Sequence, residues 1–283
     1  MNWQAAIIIG FVAMAVATVL QRQLMKKKEV DPIAFAAIFQ VIISIPLIAI
    51  ATYLKADWSK FFEVWYLLVV AAIFYLIAAV SRYIGLKTEH AAVYSIGLQS
   101  RVLWAFVFSI LVLKETNTLQ EFVGAILILL AVVVLSYKGN EIKIDKGFLY
   151  ILLSALTGAI AFIFDIFSLQ SGINIYLFVG VLFLVGGLMN LIIYPSKVKS
   201  AISMLYDRNY ALFYSGTLLY GLASMSFYVA FDLGGTSSAI TTLFQLYIPL
   251  VVIMGVLILK ERENLRSIII AGILSIAGAI MVG

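Results

Sequence analysis

The feature that most constrains this chain is a series of long apolar segments separated by short polar connections. A helix that crosses about 30 Å of hydrocarbon needs about 20 mostly apolar residues. These segments leave no room for a folded domain outside the bilayer. We therefore predict an all-α integral membrane protein, multi-pass in the cell membrane, with ten transmembrane helices. They lie at approximately 3–24, 33–54, 64–86, 91–113, 119–137, 147–169, 174–194, 210–231, 236–259 and 265–282.

Composition excludes several other classes of protein. Hydrophobic residues make up 64% of the chain and charged residues only 12%, whereas soluble domains carry about 25% charged residues. The formal net charge of +5 is explained by basic connections that face lipid headgroups, so we predict membrane lipid and no nucleic acid as a partner. With no cysteine and a single histidine, His90, thiol catalysis and thiolate metal sites are excluded. We predict no metal and no cofactor.

The chain also repeats itself. Leu113–Lys114–Glu115 near the end of the fourth segment recurs as Leu259–Lys260–Glu261 near the end of the ninth. Gln99 recurs as Gln245 at the same offset of 146 residues. A duplicated unit with an odd number of crossings must insert upside down the second time. We therefore predict two inverted five-helix repeats, residues 1–140 and 146–283, with a solute site between them.

These residues resemble a known family of membrane proteins. Pro249, Gly255 and the run Leu259–Lys260–Glu261, together with the five-plus-five repeat and the chain length, are similar to the drug/metabolite transporter superfamily, specifically the EamA-type ten-helix permeases. The resemblance implies the fold and a transport role, without implying a substrate. The repeat departs from symmetry at Leu103, which corresponds to Pro249. The sequence therefore does not predict equivalent helix breaks in the two halves.

The distribution of Lys and Arg indicates on which side of the membrane the two termini lie. Basic residues are concentrated in the connections that follow odd-numbered segments, and Arg22 and Arg82 at the ends of two such segments are expected to reach the interface. Because cytoplasmic connections are enriched in Lys and Arg, this pattern predicts that both termini lie outside. The family resemblance implies cytoplasmic termini, so the orientation stays open, as does the choice between a monomer and a homodimer.

Polar residues inside the apolar segments are candidate solute ligands, because they are costly there unless they face a cavity or a partner. Arg101 lies near the middle of the fourth segment, and its guanidinium has fixed donors for a carboxylate or another anion. Gln99 and Gln245 occupy equivalent positions in the two halves, and their amides can donate and accept. A structural ion pair at Arg101 and helix–helix hydrogen bonds at the glutamines are the alternative interpretations.

Four further residues complete the predicted solute-binding set. Tyr247 is the counterpart of Arg101, Gln40 lies before Pro46 in the second segment, and Tyr94 and Trp104 lie on the fourth segment. Aromatic and amide side chains suit a flat or amphipathic solute. For the aromatic residues, packing in the core or against lipid is the alternative.

Asp165 is the candidate for proton coupling. It interrupts an apolar aromatic run near the end of the sixth segment. Because successive segments cross in alternating directions, the sixth and fourth segments end on the same side of the membrane. We expect Asp165 to be the partner of Arg101, about 10 Å away along the membrane normal at 1.5 Å per residue. A local cap or a loop ion pair is the alternative.

The sequence favours a secondary transporter of a small polar or amphipathic metabolite that works by alternating access. It has no GxxxxGK[ST] motif, so ATP is not predicted to be the direct energy source. A channel or scaffold is the alternative function. An intramembrane enzyme is less favoured, because neither an HExxH motif nor a Cys–His pair is present.

Overall fold

A computed structural model gives the fold of residues 2–112, 118–138, 141–142, 144–206, 210–234, 240, 243–262 and 264–282. The Leu113–Lys114–Glu115 motif lies outside these described residues. In the first half of the chain the helices are α1 (Trp3–Met25), α2 (Pro32–Tyr53), α3 (Ser59–Thr88), α4 (Ala91–Leu98), α5 (Ser100–Leu111) and α6 (Leu119–Ser136).

A two-residue hairpin, β1 (Tyr137–Lys138) paired with β2 (Glu141–Ile142), connects the two halves. The second half has the helices α7 (Lys146–Leu169), α8 (Ile175–Ile193), α9 (Val198–Ser203), α10 (Tyr210–Asp232), α11 (Tyr247–Leu257) and α12 (Leu265–Val282), with a 3₁₀ turn at Pro195–Lys197. The bundle end that contains the hairpin is called the hairpin end below. The opposite end, where α1 begins and α12 finishes, is called the termini end.

Local sequence explains where several helices begin. Asp31 precedes α2 and its carboxylate accepts hydrogen bonds from the backbone N–H of Ile33 at 2.9 Å and of Ala34 at 3.1 Å. Asn174 caps α8 in the same way. Thr118 and Glu121 form a reciprocal capping box at the start of α6. These side chains satisfy N–H groups that would otherwise lack partners in the first turn.

Within the described ranges, eight segments are long and apolar enough to cross a membrane when α4 and α5 are taken together as Ala91–Phe108, and the protein is therefore a multi-pass membrane protein. Large apolar side chains such as Ile45, Ile192 and Ile273 point outward, which suits a surface that contacts lipid. The predicted eighth and ninth spans correspond to α10 and the short α11, which are not among the eight. The count of ten spans and the inverted repeat remain predictions.

The fourth predicted span is not one continuous helix. It is interrupted at Gln99, and in the second half a turn at Gln245 and Leu246 precedes α11. The two breaks share a hydrogen bond pattern: Val102 N–H donates to the Gln99 carbonyl at 2.9 Å and Ile248 N–H to the Gln245 carbonyl at 3.0 Å. Both halves therefore have a helix break, at Gln99 and at Gln245, although the sequence did not predict breaks at matching positions.

The break at Gln245 does not depend on Pro249, which lies in the first turn of the helix that follows it. Pro249 is the third residue of α11, where the first-turn N–H groups have no partner in the helix, so the missing N–H costs little. In the first half the Ser100 hydroxyl donates to the Gly97 carbonyl at 2.9 Å. This bond competes with the helical ladder at the break.

Four helix pairings make the most extensive contacts in the bundle: α3 with α7, α1 with α10, α2 with α8, and α6 with α12. The last pair is close because Gly124 and Gly278 face each other. A Cβ atom added to Gly278 would lie 2.5 Å from the Gly124 carbonyl oxygen, and one added to Gly124 would lie 2.6 Å from that of Gly278. Small residues at such crossings let helix backbones approach within the membrane.

Candidate functional site

A cavity of about 940 Å³ lies between the helices. Residues of α1 to α6 line it from the first half, and residues of α7, α8, α10, α11 and α12 line it from the second. Small-molecule sites typically have volumes of about 300–1,000 Å³. Six of the predicted solute ligands line this cavity: Gln40, Tyr94, Gln99, Arg101, Gln245 and Tyr247.

Trp104 is the predicted ligand that is not among the residues lining the cavity. Its ring stacks on that of Phe108 on the same helix, with centroids 6.5 Å apart. The spacing of four residues brings these rings together on one face of α5. A contact between Trp104 and a solute therefore has no support from this geometry.

Gln99 and Gln245 meet across the seam between the two halves. The Gln99 amide nitrogen Nε2 donates a hydrogen bond to the Gln245 oxygen Oε1. Both side chains are buried, and both residues lie at the helix breaks described above. The sequence analysis offered two interpretations of these glutamines, as residues that line a cavity or as residues that bond two helices. The pair does both.

Arg101 projects from α5 toward α7. Its guanidinium carbon lies 5.4 Å from the centroid of the Phe162 ring. It passes beside Gly158, where an added Cβ would be in ordinary van der Waals contact with the Arg101 Nε at 3.8 Å. Arg101 is half-buried and lines the cavity.

Asp165 is fully buried on α7 and interacts electrostatically with Arg101. Its direct partners are two tyrosines that the sequence analysis did not identify. The Asp165 Oδ2 accepts hydrogen bonds from the Tyr75 hydroxyl at 2.5 Å and from the Tyr228 hydroxyl at 3.4 Å. Both tyrosines line the cavity. Within the described ranges, no salt bridge of 4.0 Å or less joins Asp165 to a cation.

Arg82 is a charged residue of this site that the sequence analysis placed elsewhere. It was expected to reach the membrane interface, but it lines the cavity. Its guanidinium carbon lies 4.2 Å from the Tyr220 ring centroid, 5.5 Å from that of Tyr83 and 5.7 Å from that of Tyr94. The signal that could have revealed this position is the length of α3, which has 30 residues, more than one crossing requires.

Several polar atoms at or beside the cavity are buried without a hydrogen bond among the described residues. They are the Arg82 Nε, the hydroxyls of Tyr83 and Tyr94, and the Gln40 Oε1. Arg82, Tyr94 and Gln40 line the cavity. Buried polar groups usually have partners, so this part of the cavity has unused donors and one unused acceptor for a polar solute.

An ion pair joins the helices at the hairpin end. The Arg22 Nε lies 2.9 Å from the Glu261 Oε1, and both residues are buried. Arg22 also donates to the backbone carbonyl of Leu86 at 2.7 Å, and the Glu261 Oε2 accepts from the Ala91 N–H at 2.8 Å. Arg22 was expected to reach the interface. Instead, Arg22 and Glu261 connect α1, α3, α4 and the segment before α12.

The surroundings of Glu261 also affect its titration. Burial alone would raise the pKa of Glu261, but the Ala91 N–H, the Arg22 guanidinium and Lys26 outweigh it and hold that pKa below its usual value of 4.5. A carboxylate that accepts such bonds is favoured in its charged form. The ion pair therefore exists across the physiological pH range.

The opposite end of the cavity has no comparable ion pair in the described part of the chain. Its lining extends to Glu121 in the first turn of α6 and to Val282, the last residue of α12. Both residues lie at the termini end. The cavity thus reaches the termini end, whereas buried polar contacts join the helices at the hairpin end.

Comparisons with known proteins bear on the family and on the fold. A comparison with curated proteins found no match. One solved crystal structure, described only as that of a protein, matches over 98% of this chain and 96% of that chain, with a TM-score of 0.60 and 16% sequence identity. At this identity the likeness shows the fold alone. Residues 1–137 match the model of the EamA-like transporter family, which confirms over these residues the resemblance predicted from the sequence.

Proposed function

We propose that the protein is a secondary transporter that moves a small polar or amphipathic metabolite across the cell membrane by alternating access. The observation that carries the proposal is the cavity of about 940 Å³, which is lined by both halves of a multi-pass membrane protein. Solute sites of secondary transporters lie near the midplane, where two related bundles meet. The EamA-like match over residues 1–137 supports a transport role.

The helix pairings support the inverted repeat over residues 1–140 and 146–283. If α1 corresponds to α7, α2 to α8, α3 to α10 and α6 to α12, exchanging the halves converts the α3–α7 pair into the α10–α1 pair. The same exchange maps α2–α8 and α6–α12 onto themselves. All four are the most extensive pairings in the bundle, as expected for a pseudo-twofold axis in the membrane plane.

The asymmetry between the two ends of the cavity supports alternating access. The Arg22–Glu261 pair joins helices at the hairpin end, while the lining reaches Glu121 and Val282 at the termini end. A carrier needs states that are closed at one end and accessible at the other. This geometry corresponds to the state that is closed at the hairpin end.

Arg101, Gln99, Gln245, Tyr247, Gln40 and Tyr94 are proposed to contact the solute, since all line the cavity. Asp165 is the candidate for proton coupling, because it is buried between two tyrosine hydroxyls that line the same space. A carboxylate in such a setting can change its charge with the state of the cavity. The energy source is therefore a solute exchange or a proton gradient.

Counterflow tests this function. The purified protein is first screened against a metabolite library for thermal stabilisation, and the best stabilising solute is loaded into proteoliposomes. External labelled solute should accumulate transiently only when unlabelled solute is inside. Equilibration at the same rate in empty vesicles would indicate a pore, and uptake no greater than in protein-free vesicles would contradict transport.

A further inference from the structure

We propose that the cavity takes a small amphipathic monocarboxylate, whose carboxylate binds Arg82 and whose apolar body packs on the neighbouring aromatic wall. The proposal rests on the transport function proposed above and names the substrate class of the same site. It assigns the anion anchor to Arg82 rather than to Arg101, the residue that the sequence favoured.

The charges facing the cavity support a single negative charge on the solute. Among the described residues, Arg82 has no carboxylate within 4.0 Å. Arg101 likewise has no salt bridge of 4.0 Å or less among these residues, but Asp165 acts on it electrostatically, whereas the groups that act most strongly on Arg82 are tyrosines. Glu121 lies at the termini end, where its carboxylate accepts the Thr118 N–H at 2.7 Å. The inner part of the cavity thus has one uncompensated positive charge, which is costly inside a membrane until an anion offsets it.

The unused hydrogen-bonding groups match a carboxylate. The Arg82 Nε is a buried donor without a partner among the described residues, and the guanidinium lies 5.7 Å from the Tyr94 ring centroid, where it also interacts with the Tyr94 hydroxyl. A carboxylate has two acceptor oxygens and matches the planar edge of a guanidinium. An ammonium group has only donors, so it could not pair with the Arg82 Nε–H and would repel the guanidinium. The unused acceptor Gln40 Oε1 suits an N–H or O–H elsewhere on the solute.

An aromatic wall beside Arg82 suits an apolar solute body. The Tyr220 ring lies 4.2 Å from the guanidinium carbon and forms edge contacts with Phe39 at 5.2 Å and Phe183 at 6.4 Å between centroids. All three rings line the cavity. One free cation next to an apolar wall matches a monoanion with a hydrophobic body better than a phosphate dianion, whose second charge would have no counterion.

Three probes that share one apolar body and differ in charge test the assignment: 3-phenylpropionate, 3-phenylpropionamide and 3-phenylpropylamine. Their dissociation constants are measured at pH 7 by calorimetry on the purified full-length protein in detergent. The wild-type protein should bind the carboxylate at least tenfold more tightly than the amide, and the amine most weakly. Equal affinities, a preference for the amine, or no binding of the carboxylate at millimolar concentration would overturn the proposal.

Substitutions test whether Arg82 is the residue that causes the preference for the carboxylate over the amide. Arg82→Gln should remove this preference, bringing the carboxylate-to-amide affinity ratio to about one, whereas Arg82→Lys keeps the charge and should retain a reduced preference. Arg266→Gln, at an exposed arginine on α12, is the matched control and should leave the ratio unchanged. Size-exclusion profiles establish that each variant is folded. A full preference in folded Arg82→Gln would overturn the assignment.

The same proteoliposomes separate this proposal from the transport function. Arg82-dependent binding of the carboxylate without counterflow would leave the substrate class standing and contradict transport. Counterflow of other solutes, with no charge preference among the three probes, would leave transport standing and overturn the monocarboxylate class.

Discussion

The side chains of Gln99 and Gln245, which are 146 residues apart, form a hydrogen bond across the seam between the two halves of the chain. Each lies at a helix break, and both line the cavity. The two halves are therefore in contact, through residues at matching positions of the sequence repeat, at the cavity that we propose to bind a solute. Their side chains can exchange this bond for bonds to a polar solute, because an amide both donates and accepts.

This pairing predicts the effect of removing one or both amides. Gln99→Leu or Gln245→Leu should each lower the unfolding free energy by about 1–3 kcal/mol, since the remaining amide is buried without a partner. The double variant should lose less than the sum of the single losses. Thermal unfolding in detergent measures all three, and Gln120→Leu at an exposed position is the control. Strictly additive losses would contradict the pairing.

The lowered pKa of Glu261 predicts a pH-dependent stability. The contribution of the pair is fully present above the usual value of 4.5 and is lost as the pH falls through the lowered folded pKa. Glu261→Gln should cost about 3–5 kcal/mol at pH 7 because it leaves Arg22 buried without a counterion.

Melting temperatures measured from pH 7 down to pH 3 test this dependence. The difference between wild type and Glu261→Gln should be constant near neutrality and shrink below about pH 4.5, the unfolded-state value. Glu63→Gln removes the exposed pair of Glu63 with Lys60 and should have little effect, as surface pairs contribute about 0–1 kcal/mol. A difference that persists unchanged at pH 3 would contradict the ionic origin.

Arg101 and Asp165 should behave as a coupled pair. Arg101→Gln leaves the Asp165 carboxylate unopposed and cancels the net positive charge of the cavity, so counterflow of a carboxylate solute should fall at least tenfold while the protein remains folded. Adding Asp165→Asn removes both charges and should restore part of the activity. A double variant that is as inactive as Arg101→Gln would contradict the coupling of the two charges.

The crossing of α6 and α12 predicts a steric limit at Gly278. Gly278→Ala would place a Cβ 2.5 Å from the Gly124 carbonyl oxygen, so it should destabilise the protein by about 1–3 kcal/mol. Gly272→Ala on the same helix meets no atom nearer than 3.7 Å and should be tolerated. Melting temperatures of the two variants measure the difference, and equal melting temperatures would contradict the close crossing.

Much of the helical framework follows from the sequence, because long apolar runs and capping residues are local signals. The predicted segment 33–54 corresponds to Pro32–Tyr53, and the predicted segment 265–282 to Leu265–Val282. The offset between Gln99 and Gln245 likewise indicated two residues that do meet. Both inferences depend on periodicity and repetition, which can be observed along the chain.

The contacts of buried charges could not be predicted in this way. Arg82 lies near the end of an apolar run, so a position at the interface was expected, but its surroundings depend on Tyr220 from α10. Asp165 is hydrogen bonded by Tyr75 and Tyr228 from two other helices. Such contacts depend on how helices distant in sequence pack, and no local spacing encodes them.

Locking the hairpin end tests alternating access most directly. The Lys26 Nζ lies 3.1 Å from the Leu259 carbonyl oxygen, so Lys26→Cys and Leu259→Cys together can be joined by a reducible bifunctional thiol reagent. The chain has no native cysteine, so the reagent can react only at these positions, and the two single-cysteine variants are the controls. Counterflow of the best stabilising solute should stop on cross-linking and return on reduction. Undiminished counterflow in the fully cross-linked protein would contradict alternating access.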